Sequence, residues 1–143
     1  MRLTLYTDYA LRVLMHAALR EPEVSTVEEV AKAFGVSRNH LVKVVQALGQ
    51  NGLLATRRGV GGGFTLGRPA SKIYLGDVVR LTESDEQVIE CVNRDKQPCR
   101  IFPVCRLKGV LAEAVAAFFS VLDRYSLEDL VRREPEMKKL LGL

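Results

Sequence analysis

No stretch of the 143 residues approaches the ~20 consecutive apolar residues that a helix needs to span a bilayer. The N-terminal Met-Arg-Leu-Thr-Leu-Tyr-Thr-Asp has an early basic residue but lacks the apolar segment and small-residue cleavage site of a secretory leader. A cytoplasmic protein with no membrane partner is expected, in a compartment where thiols stay reduced. Cysteine is scarce and odd in number, limited to Cys91, Cys99 and Cys105, which argues against a framework of paired disulfides. Histidine is scarcer still. His16 and His40 lie far upstream, so a zinc site at the cysteines would want a fourth ligand that no nearby Cys or His supplies. Internal repeats, low-complexity segments, a second cofactor motif and an acid–base pair are all missing, and no enzymatic activity is expected.

The length fits one domain, or a small domain with an oligomerisation element, and is enough to bury a core. With 48% hydrophobic and 27% charged residues, the composition is that of a folded globular chain. The net charge of +4 is unevenly placed. Residues 1–80 carry eleven Lys and Arg against six Asp and Glu, whereas residues 81–143 carry ten against eleven. The N-terminal half is therefore the better surface for a polyanion.

Leu11, Leu14, Met15, Ala18 and Leu19 recur at helical spacing and predict a helix over about Thr7–Leu19, ended at Glu21-Pro22. Ser25 and Glu28 suggest a capping box before Val27, Val30, Ala31 and Phe34, and Gly35 stops that short helix. Ser37 is the natural N-cap of the next, whose inward residues are Leu41, Val44, Val45 and Leu48, and Asn51-Gly52 closes it. Two short helices joined at a glycine, followed by two strands around a basic, glycine-rich turn, describe a winged helix-turn-helix. Leu75–Leu81 reads as a short helix. Leu107–Leu122 is apolar around so much of its circumference that it needs cover from its own domain and from a second copy. Ser126 could cap a last helix through Leu127, Leu130 and Val131, ending before Glu134-Pro135.

The expected fold is thus mostly α. A winged helix-turn-helix DNA-binding domain occupies 1–80, with its recognition helix at about 37–50 and its wing at about 53–66. Residues 81–143 supply the cysteine loop at 88–105, a dimerisation helix at about 106–123 and a C-terminal helix.

Ser37, Arg38, Asn39, His40 and Lys43 fall opposite the apolar face of the second helix of the motif. There Arg and Asn can bond base edges and Lys can pair with phosphate. Arg57 and Arg58 at the wing can enter a minor groove. Arg-Gly-Val-Gly-Gly-Gly lacks the Gly-Lys-Ser/Thr ending of a P-loop and opens no helix, so it is not a nucleotide loop. The cysteines admit four readings: buried apolar thiols, structural zinc, a thiol redox switch favoured by Arg100 and Arg106, and an iron–sulfur cluster. Charges and prolines around them rank the first lowest. Three thiolates with a labile fourth ligand rank the cluster first.

Four segments then carry a resemblance: Met-Arg-Leu-Thr-Leu-Tyr-Thr-Asp-Tyr-Ala-Leu-Arg, Gly-Val-Ser-Arg-Asn-His-Leu-Val-Lys, Arg-Arg-Gly-Val-Gly-Gly-Gly and Cys-Arg-Ile-Phe-Pro-Val-Cys-Arg-Leu-Lys. In this order, over essentially the whole chain, they resemble the Rrf-type winged-helix regulators of bacteria, most nearly the nitric-oxide-responsive branch. The resemblance implies a homodimeric repressor that binds a palindromic double-stranded DNA operator when it carries an iron–sulfur cluster. Nitric oxide as effector would release the DNA and derepress genes of nitric-oxide detoxification. It further implies that Cys91, Cys99 and Cys105 hold a [4Fe–4S] cluster, with [2Fe–2S] as the alternative.

The fourth ligand implied is an aspartate of the other subunit, matched by Asp8, and Arg12 one turn on could hydrogen-bond that carboxylate. Taken alone, an acidic residue at this place needs only the helix dipole, worth ~0.3–1 kcal/mol, to explain it. A sister branch uses a histidine soon after the third cysteine, but here Arg106, Leu107, Lys108 and Gly109 follow Cys105. The Cys91–Cys99 gap, seven residues, is also longer than the resemblance leads one to expect. The alternatives are a regulator that uses its cluster to sense cluster supply or redox state, and a thiol- or zinc-based redox regulator.

Overall fold

Thr4, extended in its backbone, accepts a hydrogen bond from the Thr7 N–H and starts helix α1, Leu5–Arg20. The structure, a computed structural model, describes residues 3–83 and 99–143. Cys91 and most of the predicted loop at 88–105 lie outside the described residues. Helix α2, Val27–Phe34, opens on a capping box one residue later than the sequence suggested. Thr26 accepts from the Glu29 N–H at 3.2 Å, and Glu29 Oε2 accepts from the Thr26 N–H at 2.7 Å. Ser25 cannot take that role because its backbone and hydroxyl are already engaged. Its N–H and C=O both pair with Phe64, at 2.9 and 2.8 Å, and its Oγ lies 2.9 Å from His16 Nδ1.

Gly35 ends α2 in the left-handed conformation, with φ +63°, and the chain turns into α3, Arg38–Gln50. Strand β1, Leu54–Arg57, pairs antiparallel with β2, Gly63–Leu66, in the register Leu54↔Leu66 to Arg57↔Gly63. The bridge from Ser25 to Phe64 gives this wing a third contributor from ahead of the helix-turn-helix. Gly63 permits the approach: its φ is +154°, and a Cβ there would stand 2.3 Å from the Ser25 carbonyl oxygen.

Leu14, Val30, Leu41, Val44, Leu48 and Phe64 bury the inward faces of α1–α3 and the wing in one core. Helix α4, Leu75–Thr82, adds Val78 to it. Leu127, from the short helix α6 (Leu127–Leu130), returns to the same core, its N–H bonded to the Ile73 carbonyl at 2.8 Å. Ser126 caps α6 with Asp129 in a capping box.

Between α4 and α6 runs α5, Arg106–Leu122, which contains no buried residue. It is tied to α4 by Arg80, which forks onto Asp123 with two bonds of 2.7 Å and lies over the Phe119 ring at 4.4 Å. A helix follows where the sequence suggested a stop. Glu134-Pro135 begins α7, Glu134–Leu141, because a first-turn N–H has no intrahelical partner and proline lacks only that. No helix among the described residues is long and apolar enough to cross a membrane.

His16 is fully buried, and among the described residues its Nε2 has no hydrogen-bond partner. Burial lowers its pKa; Glu29 opposes that shift and Arg20 adds to it. The unfolded chain takes up this proton near pH ~6.5 while the folded one resists, so stability falls as pH drops below that point. The urea midpoint is expected to decline between about pH 7 and 5.5, with a shallower decline in His16→Gln. Equal slopes in the two proteins would remove His16 as the cause.

Candidate DNA-binding face and metal-ligand residues

Helix α3 divides cleanly. Leu41, Val44 and Leu48 are buried, whereas Ser37, Arg38, Asn39, His40 and Lys43 are exposed on the other side. Ser37 sits at the N-cap but makes no side-chain cap bond, leaving its hydroxyl and the first N–H groups of α3 open to an acceptor. Arg57 ends β1 and Arg58 follows in the turn; both are exposed. The structure thus leaves Ser37 at the N-cap, four predicted residues of α3 and the two wing arginines all exposed.

Two neighbours of this face were not found by sequence reading. The His40 ring stacks on Tyr9 of α1, with centroids 6.1 Å apart and planes 24° from parallel. Arg38 donates from Nε to Glu28 Oε1 across the turn of the motif. Neither contact has a sequence signal, since both partners come from other helices.

Asp8 lies in the first turn of α1, where its Oδ2 accepts from Arg12 Nη2 at 2.9 Å. The Arg12 guanidinium also rests 5.5 Å from the centroid of the Phe34 ring, which fixes it between α1 and α2. Asp8 lines an open groove of about 600 Å³ with Leu3, Thr4, Leu5 and Leu11. Leu3 and Leu5 are 38% and 60% exposed, so an apolar surface surrounds this carboxylate without covering it.

Cys99 and Cys105 bracket a tight turn whose core is the 3₁₀ segment Phe102–Val104. The Phe102 N–H bonds the Cys99 carbonyl at 3.1 Å, the Val104 N–H bonds the Ile101 carbonyl at 3.0 Å, and Lys108 Nζ reaches the Phe102 carbonyl at 2.9 Å. Cys99 is exposed and Cys105 is half-buried at the N-cap of α5. Among the described residues no three His, Cys, Asp or Glu side chains gather within one chain. The donor chemistry nevertheless fits a cluster: thiols on a braced turn, and a carboxylate with one oxygen oriented by Arg12 and the other without a partner among the described residues.

Glu83, the last residue described before the cysteine segment, reaches back to the start of α1. It accepts from the Thr4 N–H at 2.7 Å, from Thr4 Oγ1 at 2.9 Å and from Thr7 Oγ1. Burial pushes its carboxyl pKa up, but the bonds from Thr7 and Thr4 outweigh that and hold it below the usual carboxylate value. The entry to the cysteine segment is thereby fastened to the helix that carries Asp8.

Residues 3–133 match the family described as "Rrf2: Iron-dependent Transcriptional regulator". The chain is 48% identical over 144 residues to the HTH-type transcriptional regulator NsrR of Bacillus subtilis, covering 100% of this chain and 99% of that protein. It is 44% identical over 142 residues to the NsrR of Shouchella clausii, covering 99% and 95%. Among solved structures, the oxidised form of Staphylococcus aureus CymR is 25% identical with a TM-score of 0.72, covering 92% of this chain and 97% of that one. T. potens IscR is 20% identical with a TM-score of 0.75, covering 93% and 88%, and so shares the fold.

Proposed function

The chain belongs to the Rrf2 family of transcriptional regulators, and from that premise we propose that it is a homodimeric, nitric-oxide-responsive repressor of nitric-oxide detoxification genes. In this reading it binds a palindromic operator through α3 and the wing. Cys91, Cys99 and Cys105 of one subunit, with the partner subunit's Asp8, hold an iron–sulfur cluster of the [4Fe–4S] type. The observation that carries the proposal is the setting of Asp8. Its carboxylate is oriented by Arg12 at the edge of an uncovered apolar groove, on the residue next to Tyr9, which stacks on His40 of the recognition helix.

A bound cluster supplies an iron site whose carboxylate ligand is harder and more weakly held than thiolate, and so open to a small π-acid. The rest is done by the chain. Cys99 precedes the turn around Phe102 and Cys105 ends it, at the N-cap of α5. Arg12 holds Asp8 in one orientation, and Tyr9 passes the position of α1 to α3. With Asp8 and the other subunit's cysteines as ligands of one cluster, the two recognition helices would be held at a fixed separation, which half-sites about one helical turn or a multiple apart require. When Asp8 is released, that separation is no longer enforced and operator affinity falls.

The second copy is called for by α5. Leu107, Val110 and Val121 on it are 58%, 60% and 44% exposed. Continuous with the rest of an apolar helix, they form a face that a symmetry mate can cover.

The test is an anaerobic titration of cluster-loaded protein with nitric oxide, oxygen and reductant, following DNA binding. Release at low equivalents of nitric oxide, before either other agent acts, is the expected result. Release by oxygen or reductant with indifference to nitric oxide would assign the protein to redox sensing instead.

A further inference from the structure

Arg38 is the first residue of α3, and its side chain is already occupied. Its Nε donates to Glu28 Oε1, from the first turn of α2, and both side chains are more than half exposed, at 61% and 62%. An ion pair this open contributes little to folding. Its location at the start of the recognition helix therefore calls for another explanation. On the reading that α3 enters the major groove, we propose that Glu28 is a positioning residue for sequence readout, holding Arg38 so that the outer edge of its guanidinium meets a guanine.

The geometry of the guanidinium leads to this assignment. Its five N–H groups lie in one plane and form two usable edges, one through Nε and one through the two terminal nitrogens. With the Nε edge turned toward Glu28, the terminal edge is left with two parallel donors. That pair matches O6 and N7 of guanine, the commonest bidentate base contact in the major groove. A free arginine would sample many rotamers and could rest equally well on a phosphate of any sequence. The clamp removes much of that freedom before DNA arrives.

Glu28 also acts against wrong sites. The Arg38 hydrogen bond holds its carboxyl below the usual carboxylate range, so it is anionic at neutral pH. A fixed negative charge beside the entering backbone weakens contacts made to phosphate alone, while a correctly seated guanine compensates by engaging Arg38. Glu28 keeps its place because the capping box of Thr26 and Glu29 fixes the first turn of α2. One carboxylate thus raises discrimination from both sides.

The test uses cluster-loaded, full-length protein and two DNA probes at one salt concentration: a duplex selected by the wild-type protein from a randomised pool, and a scrambled duplex of the same length. Glu28→Gln is expected to tighten binding to the scrambled duplex and to lower the selected-to-scrambled ratio by roughly five- to tenfold, the lower end of what one bidentate contact provides. Thermal stability should not change, since the pair is exposed. Arg38→Ala should lower the ratio at least as far, and adding Glu28→Gln to it should lower the ratio no further, the mark of action through Arg38. A wild-type ratio in Glu28→Gln, with a reduced ratio in Arg38→Ala, would overturn the positioning role and leave DNA recognition by α3 standing. A wild-type ratio in both would instead remove base readout by Arg38.

Discussion

Phe64→Ala is expected to cost about 3–5 kcal/mol of folding stability, the usual range for emptying a buried aromatic site. Phe64 is 1% exposed and is the largest fully buried side chain among the described residues. It sits where β2 meets Ser25, in contact with the core shared by α1 and α3. The neighbours are held by two helices and a strand, so they can close the resulting cavity only in part. Since small domains are stable by roughly 5–15 kcal/mol in all, the loss should be plain in urea denaturation of the cluster-free protein, as a lower midpoint with an unchanged slope. A loss below about 1 kcal/mol would mean that the wing collapses onto the gap, and that its contact with α1 is looser than the burial of Phe64 indicates.

The second large effect is functional. Cys105→Ser should leave the helical content and melting of the cluster-free protein close to wild type, because the thiol is only half-buried at the N-cap of α5 and makes no cap bond. It should abolish the visible absorption of anaerobically reconstituted protein. Operator affinity should drop to the level of random DNA, a loss on the order of 10³-fold or more. Asp8→Ala should behave differently: it should still take up a cluster, held by thiolates, but lose it faster to nitric oxide or chelator. A Cys105→Ser protein that is still coloured and still binds its operator would remove Cys105 from the ligand set. Wild-type kinetics in Asp8→Ala would return that residue to stabilising α1 alone.

Much of the fold could be read from local pattern. Gly35, Ser37 and Asn51 bound α3 because caps and left-handed glycines act over a few residues. The glycine-rich basic segment folds as the hairpin that its turn chemistry requires. The misreadings arose where distant parts of the chain compete. Ser25 looked like a cap until its backbone was claimed by Phe64, 39 positions away, and Thr26 took over the role. Pro135 looked like an end because a helix start and a helix stop use the same residue.

The candidate site shows the same division. The exposure of Arg38, His40 and Lys43 on α3 follows from their spacing on one helix. Glu28, Tyr9 and Glu83 meet their partners across elements, and a linear reading has nothing by which to pair them. Arg12 was paired with Asp8 from the sequence because an i,i+4 interval places two side chains on one helix face.

The two hydrogen bonds between Ser25 and Phe64 give the wing a clock. Their amide protons each close the same bridge, so both can exchange with solvent only when that bridge opens. A wing hinged freely on its own turn would lose these protons early, with the surface loops. One stitched to the segment between α1 and α2 should lose them late and together, at rates near those of amides that open only with the whole domain. Proton exchange at two residues outside α3 would then report how rigidly the hairpin is carried by the rest of the winged helix-turn-helix.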